Sequence, residues 1–285
     1  MSNVKEHAMK GVFIIAACAA IFALVLICVF LFKGGVPAMA EIGLFEFLFG
    51  TTWRPSNDIY GILPMILGSL MVTGGAIIIG VPIGLFTAVY LASFSHKALY
   101  KILRPMVELL AGIPSVIYGF FGLTVLVPLV RKLSNYQSNG LSILTGSLLL
   151  GLMILPTIIT VSESAIRAVP TTTFEGALAL GATKEQSVFF TVVPAAKSGI
   201  VAGIVLGIGR AIGEAMAVIM VLGNQPRIPQ GILKGGRTLT ANIVLEMGYA
   251  TDLHREALIA TGVVLFVFIL LTNLLVSLIK KGGQQ

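Results

Sequence analysis

Six almost entirely apolar segments constrain the fold of this chain more than any other feature of its sequence. A spanning helix needs about 20 predominantly apolar residues, and most of the segments reach that length. Only 11% of the 285 residues are charged, against about a quarter in soluble domains. We therefore predict an all-α, polytopic membrane helix bundle of about six transmembrane helices. The segments are Gly11–Phe32, Ile62–Ala92, Met106–Val130, Leu144–Val161, Gly199–Leu222 and Ala257–Ile279.

The first apolar segment could be either a signal peptide or a retained helix. Lys5 and Lys10 precede it, and Ala38-Met39-Ala40 follows it in the manner of a cleavage site. The segment is longer than the roughly 7–15 apolar residues that are usual for a secretory signal. We therefore expect a cytoplasmic N-terminus over residues 1–10 and a retained first transmembrane helix over 11–32.

The distribution of the basic residues and the cysteines argues against a nucleic-acid partner, a disulfide and a metal site. The net charge is +7, but no Lys/Arg cluster has interleaved aromatic residues, so we expect no nucleic-acid partner. Cys18 and Cys28 belong to one apolar segment and would lie about 15 Å apart along a helix, too far for a disulfide. No Cys/His spacing is typical of a metal site, so we predict none.

Charge sets the orientation only weakly. Lys and Arg favour cytoplasmic loops, and the loop Lys97–Arg104 together with Lys280 and Lys281 favours cytoplasmic N- and C-termini. Arg131 and Lys132 argue the other way.

With both termini cytoplasmic, the outer loops are 33–61 and 223–256, and the permease core over 62–281 carries a cytoplasmic loop over 163–197. Trp53, in the first outer loop, is placed for the aromatic belt at the membrane surface.

The loop over 163–197 is too polar to span a membrane and has the pattern of two short helices. After Pro170, Thr172-x-x-Glu175 has the form of a capping box, and Gly181 suits the left-handed position that ends a helix. Thr183-x-x-Gln186 is a second capping box, from which a helix runs to Val193. We predict a compact helical hairpin, and its simplest role is a surface element packed on its own bundle. Its apolar residues available for burial are Leu178, Leu180, Phe189 and Phe190.

Two opposite charges lie inside the fifth apolar segment. Small residues every four positions from Gly199 to Ala215 predict the close approach of a neighbouring helix. Arg210 lies near mid-span and Glu214 one turn further, where a charge costs at least about 2.5–3.5 kcal/mol. A charge at this depth indicates a substrate pathway, and a polar contact between two helices is the alternative.

The chemistry of the two charges favours an oxyanion. The planar fork of an arginine matches phosphate oxygens. An ionised glutamate only accepts hydrogen bonds, which hydrogen phosphate can donate and sulfate cannot. The hypothesis is that Arg210 attracts the oxyanion, Glu214 favours a protonated one, and pairing between them prevents tight trapping. A second buried acid, Glu108, is predicted at the inner end of the third segment, where it is expected to pair near the membrane surface and not to lie in the substrate path.

Part of the 163–197 loop resembles the EAA loop of ABC importer permeases. The resemblance lies in Glu175-Gly176-Ala177-x-x-x-Gly181 with Pro194 thirteen residues later. Two positions depart from it: Gly176 replaces the usual second alanine, and Thr191 stands where an aliphatic residue is common. The resemblance implies that Glu175, Ala177, Gly181 and Pro194 couple to a separate ATPase subunit. The chain has no G-x-x-x-x-G-K-[ST] phosphate loop, so we expect no cofactor in this chain and ATP bound by the partner.

The stretch from Gly207 to Val218, which contains Arg210 and Glu214, resembles the phosphate importer permeases of the Pst system. Trp53-Arg54-Pro55, Tyr60–Pro64 and Arg104–Gly119 favour the PstC type over the PstA type. The resemblance implies a type I ABC importer architecture in the bacterial cytoplasmic (inner) membrane. It further implies a PstA-type permease partner, two PstB-type ATP-binding subunits, an external phosphate-binding protein, and a role for Arg210 and Glu214 in transport.

Other functions stay open at this point. An ABC permease for molybdate or sulfate would have the same coupling loop. A proton-coupled secondary transporter could use Glu214 as proton carrier, but it would have no ATPase to bind. A membrane sensor or scaffold that only holds a partner complex is the third alternative.

Overall fold

The computed structural model of the protein describes residues 2–282, and the side chains of residues 6 and 9–274. The side chains of Lys5, which entered the signal-peptide argument, and of Lys280 and Lys281, which entered the orientation argument, lie outside the described residues. The elements of this part of the chain are α1 (Ser2–Ile42), α2 (Leu44–Phe49), β1 (Trp53–Arg54), β2 (Ile59–Tyr60), α3 (Leu63–Val89), α4 (Lys97–Gly112), α5 (Ser115–Phe121), α6 (Val127–Leu133), α7 (Ile143–Arg167), α8 (Thr171–Ala179), α9 (Lys184–Ser187), α10 (Val193–Ala195), α11 (Lys197–Gly213), α12 (Met216–Val221), α13 (Leu239–Glu246) and α14 (Asp252–Gly282).

Five helical segments of the described chain are long and apolar enough to cross a membrane, and a sixth is bent. The sixth consists of Lys184–Ala195 and Lys197–Gly213, which meet at an angle of 70°. This number confirms the predicted all-α bundle of about six transmembrane helices. The straight segments are Met9–Ile42, Leu63–Phe94, Ser115–Leu133, Ile143–Arg167 and Asp252–Leu274.

The first helix is longer than its apolar segment. It continues ten residues beyond Phe32, to Ile42, into the segment that we predicted as an outer loop from residue 33. Gly34 and Gly35 allow this part of α1 to lie against α14, because a Cβ on Gly35 would come within 2.9 Å of the Cα of Ala260. Packing against α14 therefore keeps the chain helical where the hydrophobic pattern alone predicted a loop.

The third predicted span is divided at a proline. We predicted one span over Met106–Val130, but α4 ends at Gly112 and the spanning segment begins at Ser115. Pro114 disfavours helical geometry at the residue before it, and Ile113 is extended, with φ −69° and ψ 126°. As a result α4 is a separate helix, of which only Val107 is buried.

Helix α7 lies at the centre of the bundle. It packs lengthwise against α3 and α11, and small residues make the approach to α3 close. A Cβ on Gly80 would lie 2.8 Å from the Ile154 side chain, and a Cβ on Gly84 would lie 2.9 Å from Ile158. The buried core around α7 includes Leu149 and Ile154 of α7 itself, together with Val72, Val221 and Leu222. Helix α7 is thus the support on which α11 is placed.

Candidate functional site

The two intramembrane charges lie at a break between helices and not within one helix. We predicted a continuous span over Gly199–Leu222, but α11 ends at Gly213 and α12 begins at Met216. Glu214 is extended, with φ −73° and ψ 128°. Arg210 therefore lies in the last turn of α11, and Glu214 lies in the link to α12.

The predicted pairing of Arg210 with Glu214 is wrong in this structure. Among the described side chains, neither residue forms an ion pair. The extended backbone at Glu214 removes the helical i,i+4 geometry, and its Oε1 accepts a hydrogen bond from the Ala217 amide (3.2 Å). A cation near a helix C-terminus and an anion near an N-terminus are each favoured by the helix dipole. Each charge is thus stabilised by its own helix end.

The predicted close approach of α11 to a neighbouring helix is confirmed, and the neighbour is α7. Gly199 faces Ala165, and a Cβ on Gly207 would lie 2.9 Å from the Ile158 side chain. The backbone of Glu214 is also fixed, because its carbonyl oxygen accepts a hydrogen bond from Thr240 Oγ1 of α13 (2.8 Å). The break is therefore held from two sides, and Arg210 is only partly buried.

The predicted turn of the EAA-like segment is present at Gly181. Its φ of +91° is in the left-handed region. The Gly181 amide donates to the Leu178 carbonyl (2.9 Å) and the Ala182 amide to the Ala177 carbonyl (3.1 Å), which is the Schellman arrangement. Glycine is required here because other residues are strained at this φ.

Only one of the two predicted capping boxes forms. Thr183 caps α9, with both reciprocal hydrogen bonds to Gln186 present. The box predicted at Thr172 and Glu175 is wrong, because α8 begins at Thr171 with Pro170 at its N-cap and no side-chain cap. Thr172 is already inside the helix, where its hydroxyl cannot cap the first turn.

The apolar residues of this segment are mostly exposed, although we predicted that they were available for burial. Leu180 is 91% exposed and Phe190 is 79% exposed. Phe189 stacks on Phe94, five residues beyond the end of α3, with ring centroids 6.3 Å apart. Glu175 and Pro194 are exposed as well. The segment therefore presents an apolar face that its own bundle does not cover.

A buried carboxylate beside this segment was missed by the sequence analysis, which placed Glu163 at the start of a loop. Glu163 lies inside α7, fully buried, and its oxygens accept from Arg104 Nη1 (2.5 Å) and Arg167 Nε (2.8 Å). Arg104 also pairs with Glu108 (2.8 Å), as predicted, but the predicted burial of Glu108 is wrong, because its side chain is 57% exposed. The cluster fixes α4 to α7.

A second buried carboxylate lies at the opposite end of the bundle. Glu246 accepts hydrogen bonds from Trp53 Nε1 (2.8 Å), Arg237 Nη1 (2.5 Å) and His254 Nε2 (2.9 Å). Trp53 is only 4% exposed, so its predicted place in an interfacial belt is wrong. Burial alone would raise the pKa of the Glu246 carboxyl, but the three hydrogen bonds and the charge of Arg237 outweigh burial and lower that pKa. Burial and the neighbouring Asp58 raise the pKa of Tyr60 to about 12.

Comparison with known proteins places this geometry in a family. Residues 80–282 match the family described as "Binding-protein-dependent transport system inner membrane component", and this range contains the α11–α12 break, the Gly181 turn and the Glu163 cluster. The chain belongs to this family of ABC importer permeases.

Individual relatives are similar over most of the chain. The sequence is 40% identical over 280 residues to the "Probable ABC transporter permease protein YqgH" of Bacillus subtilis (strain 168), covering 94% of this chain and 90% of that protein. It is 34% identical to the "Phosphate transport system permease protein PstC" of Mesorhizobium japonicum, covering 87% of this chain and 83% of that protein. The fold resembles an inward-facing MetNI methionine ABC transporter, with a TM-score of 0.62, 21% identity, and 82% of this chain and all of that chain covered.

Membership of the family defines the general role of the chain. The ABC importer permease is the membrane-spanning, multi-pass subunit and not the catalytic one. ATP hydrolysis belongs to a partner ATPase, and substrate is delivered by a substrate-binding protein. The EAA-like segment and the α11–α12 break are the two features of this permease whose roles are proposed below.

Proposed function

We propose that this permease is a PstC-type subunit that carries inorganic phosphate across the cytoplasmic membrane in an ATP-driven importer. The similarity to curated PstC proteins, 34% identity over 271 residues for the one from Mesorhizobium japonicum, supports the substrate. The observation that carries the proposal is the placement of Arg210 and Glu214 at a helix break, without an ion pair between them.

The unpaired charges are suited to hydrogen phosphate. An arginine that has no carboxylate partner keeps its planar fork available for two phosphate oxygens. Glu214 accepts one amide hydrogen bond, and a carboxylate has further acceptor sites for a P–OH group. Because the two side chains form no ion pair with each other, the oxyanion would supply the negative partner of Arg210 and the P–OH donor to Glu214.

The EAA-like segment is proposed to couple transport to ATP. Glu175, Ala177, Gly181 and Pro194 would contact a PstB-type ATPase, and the exposed Leu180 and Phe190 supply apolar area for that contact. This assignment makes the α8–α9 end cytoplasmic, with both termini cytoplasmic. A PstA-type permease and an external phosphate-binding protein would complete the importer, with ATP bound only by the ATPase subunits.

The test is phosphate-stimulated ATPase activity of the purified importer with its binding protein. A hydrogen bond to a charged group contributes about 1.5–3 kcal/mol, so we expect Arg210→Gln and Glu214→Gln to lower stimulation about tenfold or more. Arg210→Lys keeps the charge but loses the fork and should be intermediate.

The matched control is Arg255→Gln, since Arg255 is exposed and forms no ion pair among the described side chains. It should retain full stimulation. Wild-type stimulation in Arg210→Gln and Glu214→Gln would refute the proposed pathway. Stimulation by molybdate or sulfate in place of phosphate would change the assigned substrate but not the proposed ABC importer architecture.

A further inference from the structure

Two adjoining cavities lie at the end of the bundle that carries β1 and β2. One has a volume of 390 Å³ and the other 430 Å³, and both are lined by Thr51 and Arg227. Because they share these two residues, they form one open depression between the β1 segment and the loop that follows α12. We name it the Arg227 depression.

Its lining carries three cations and no acid. Arg54, Arg227 and Lys234 line the two cavities, and their remaining polar lining is made of hydroxyl, amide and backbone groups. None of the three forms an ion pair among the described side chains. The next cation along the chain, Arg237, is instead neutralised by Glu246. No carboxylate of the described side chains therefore lies within ion-pair distance of the three cations.

The depression is anchored to the helix that leads to the α11–α12 break. The Gly236 amide donates to the carbonyl of Leu222 (3.1 Å), and Arg237 Nε donates to the carbonyl of Asn224 (3.0 Å). Leu222 follows the last residue of α12 as its C-cap, and α12 begins two residues after Glu214. The depression is therefore linked by hydrogen bonds to the C-terminal end of α12, the helix that directly follows the α11–α12 break.

We propose that the Arg227 depression is a low-affinity oxyanion site that holds inorganic phosphate on its way to Arg210 and Glu214. The proposal rests on the proposed function, because it assigns a second, outer site to the same substrate. A cleft lined by charge of one sign concentrates counter-ions, and hydroxyl and amide donors such as Thr51 and Gln225 can complete the hydration shell that an oxyanion loses. Exposed arginine and lysine side chains give weak binding, which suits a site that must release its ligand.

The test is the reaction of an introduced thiol with methanethiosulfonate reagents of opposite charge, in the assembled importer without its binding protein. Gln230 lines the depression, so the reactivity of Gln230→Cys reports the electrostatic potential of the depression. Tyr249→Cys is the matched control, because Tyr249 is 68% exposed in a cavity at the same end that is lined by Asp58, Glu246 and Asp252. The unsubstituted importer corrects for other cysteines.

The anionic-to-cationic rate ratio should be about tenfold higher at Gln230→Cys than at Tyr249→Cys at low ionic strength. The difference should shrink with salt and in the additional double variant Arg227→Gln/Lys234→Gln. Phosphate should slow the modification of Gln230→Cys but not of Tyr249→Cys.

Equal ratios at the two positions would overturn the proposal, as would a lack of protection by phosphate. Protection that requires the binding protein would also overturn it and would make the depression a docking surface. No transport is measured, so failure here would leave the ATPase test of Arg210 and Glu214 unaffected. Failure of that ATPase test would likewise leave the potential of the depression measurable.

Discussion

Arg210 and Glu214 carry an energetic cost that their surroundings in this chain only partly offset. Placing a charge at the membrane centre raises the insertion free energy by at least about 2.5–3.5 kcal/mol. A helix end of the favourable sign typically stabilises such a charge by only about 0.3–1 kcal/mol. Neither residue gains an ion pair in the described structure. The remainder must come from water, a partner subunit or the substrate, which is the condition expected of residues that line a hydrated path.

Glu163 and Glu108 offer a direct comparison of a buried and an exposed carboxylate on the same arginine. Removing one partner of a buried pair costs about 3–5 kcal/mol. Glu163 is fully buried, but Arg167 is 44% exposed and can be solvated. We therefore expect Glu163→Gln to lose about 2–3 kcal/mol, while Glu108→Gln stays near wild type. The measurement is the thermal stability of the detergent-solubilised importer by size-exclusion chromatography, and equal loss in both variants would contradict the assigned role of Glu163.

The lowered pKa of Glu246 predicts a pH dependence at the opposite end. A carboxyl whose pKa is lowered by folding contributes stability above its ordinary pKa of about 4.3. That contribution is lost as the pH falls through the folded-state pKa. We expect the melting temperature of the importer to fall more steeply below about pH 4 in wild type than in Glu246→Gln. Parallel curves for the two proteins would show that Glu246 is not the group that titrates.

At the scale of elements, two glycines of the EAA-like segment can be compared. Gly181 is needed for its left-handed backbone, whereas Gly176 lies in a helix, whose backbone does not require glycine. A side chain at the left-handed Gly181 costs about 1–2 kcal/mol, so Gly181→Ala should misplace α8 and lower ATPase stimulation by phosphate. Gly176 is helical with open space around it, so Gly176→Ala should stabilise α8 by up to about 1 kcal/mol. We expect Gly176→Ala to keep wild-type stimulation. Equal loss in both variants would mean that the turn has no special role.

The boundaries of elements were predictable where a local rule decides them. The Gly181 turn and the Thr183 capping box follow from backbone preference and short-range hydrogen bonding, and both predictions are confirmed. The extension of α1 to Ile42 depends on its packing against α14. The break at Glu214 depends on the hydrogen bond from Thr240 of α13 to the Glu214 carbonyl. Hydrophobic periodicity contains no information on such tertiary contacts. The predicted helix bounds therefore differ from the observed ones at the end of α1 and at Glu214.

At the scale of the whole molecule, the class of protein was predictable and its charge clusters were not. Six apolar segments suffice to predict a membrane bundle, and the EAA-like spacing suffices to predict the family. Trp53 and Glu246 are separated by 193 residues, and Arg104 and Glu163 by 59. Pairing over such distances is decided by the packed fold, so the sequence could identify the charged residues but not their partners.

The EAA-like segment, which is proposed to contact the ATPase, and the Arg227 depression lie at opposite ends of the bundle. The segment Leu63–Phe94 begins beside β2 and ends where Phe94 stacks on Phe189, and its 32 residues correspond to about 48 Å of helix. The ATPase contact and the outer oxyanion site at the Arg227 depression would therefore lie far apart. Helices α7 and α11, which pack closely between the two ends, are the route through which movement of α8 and α9 would reach the α11–α12 break.

The measurement that tests the central claim most directly is ATP-dependent uptake of labelled phosphate into proteoliposomes that hold the assembled importer and its binding protein. We predict uptake that requires ATP, is blocked by excess phosphate but not by excess sulfate, and is lost in Arg210→Gln but not in Arg255→Gln. Uptake that follows a proton gradient without ATP, or that persists at the wild-type rate in Arg210→Gln, would contradict it.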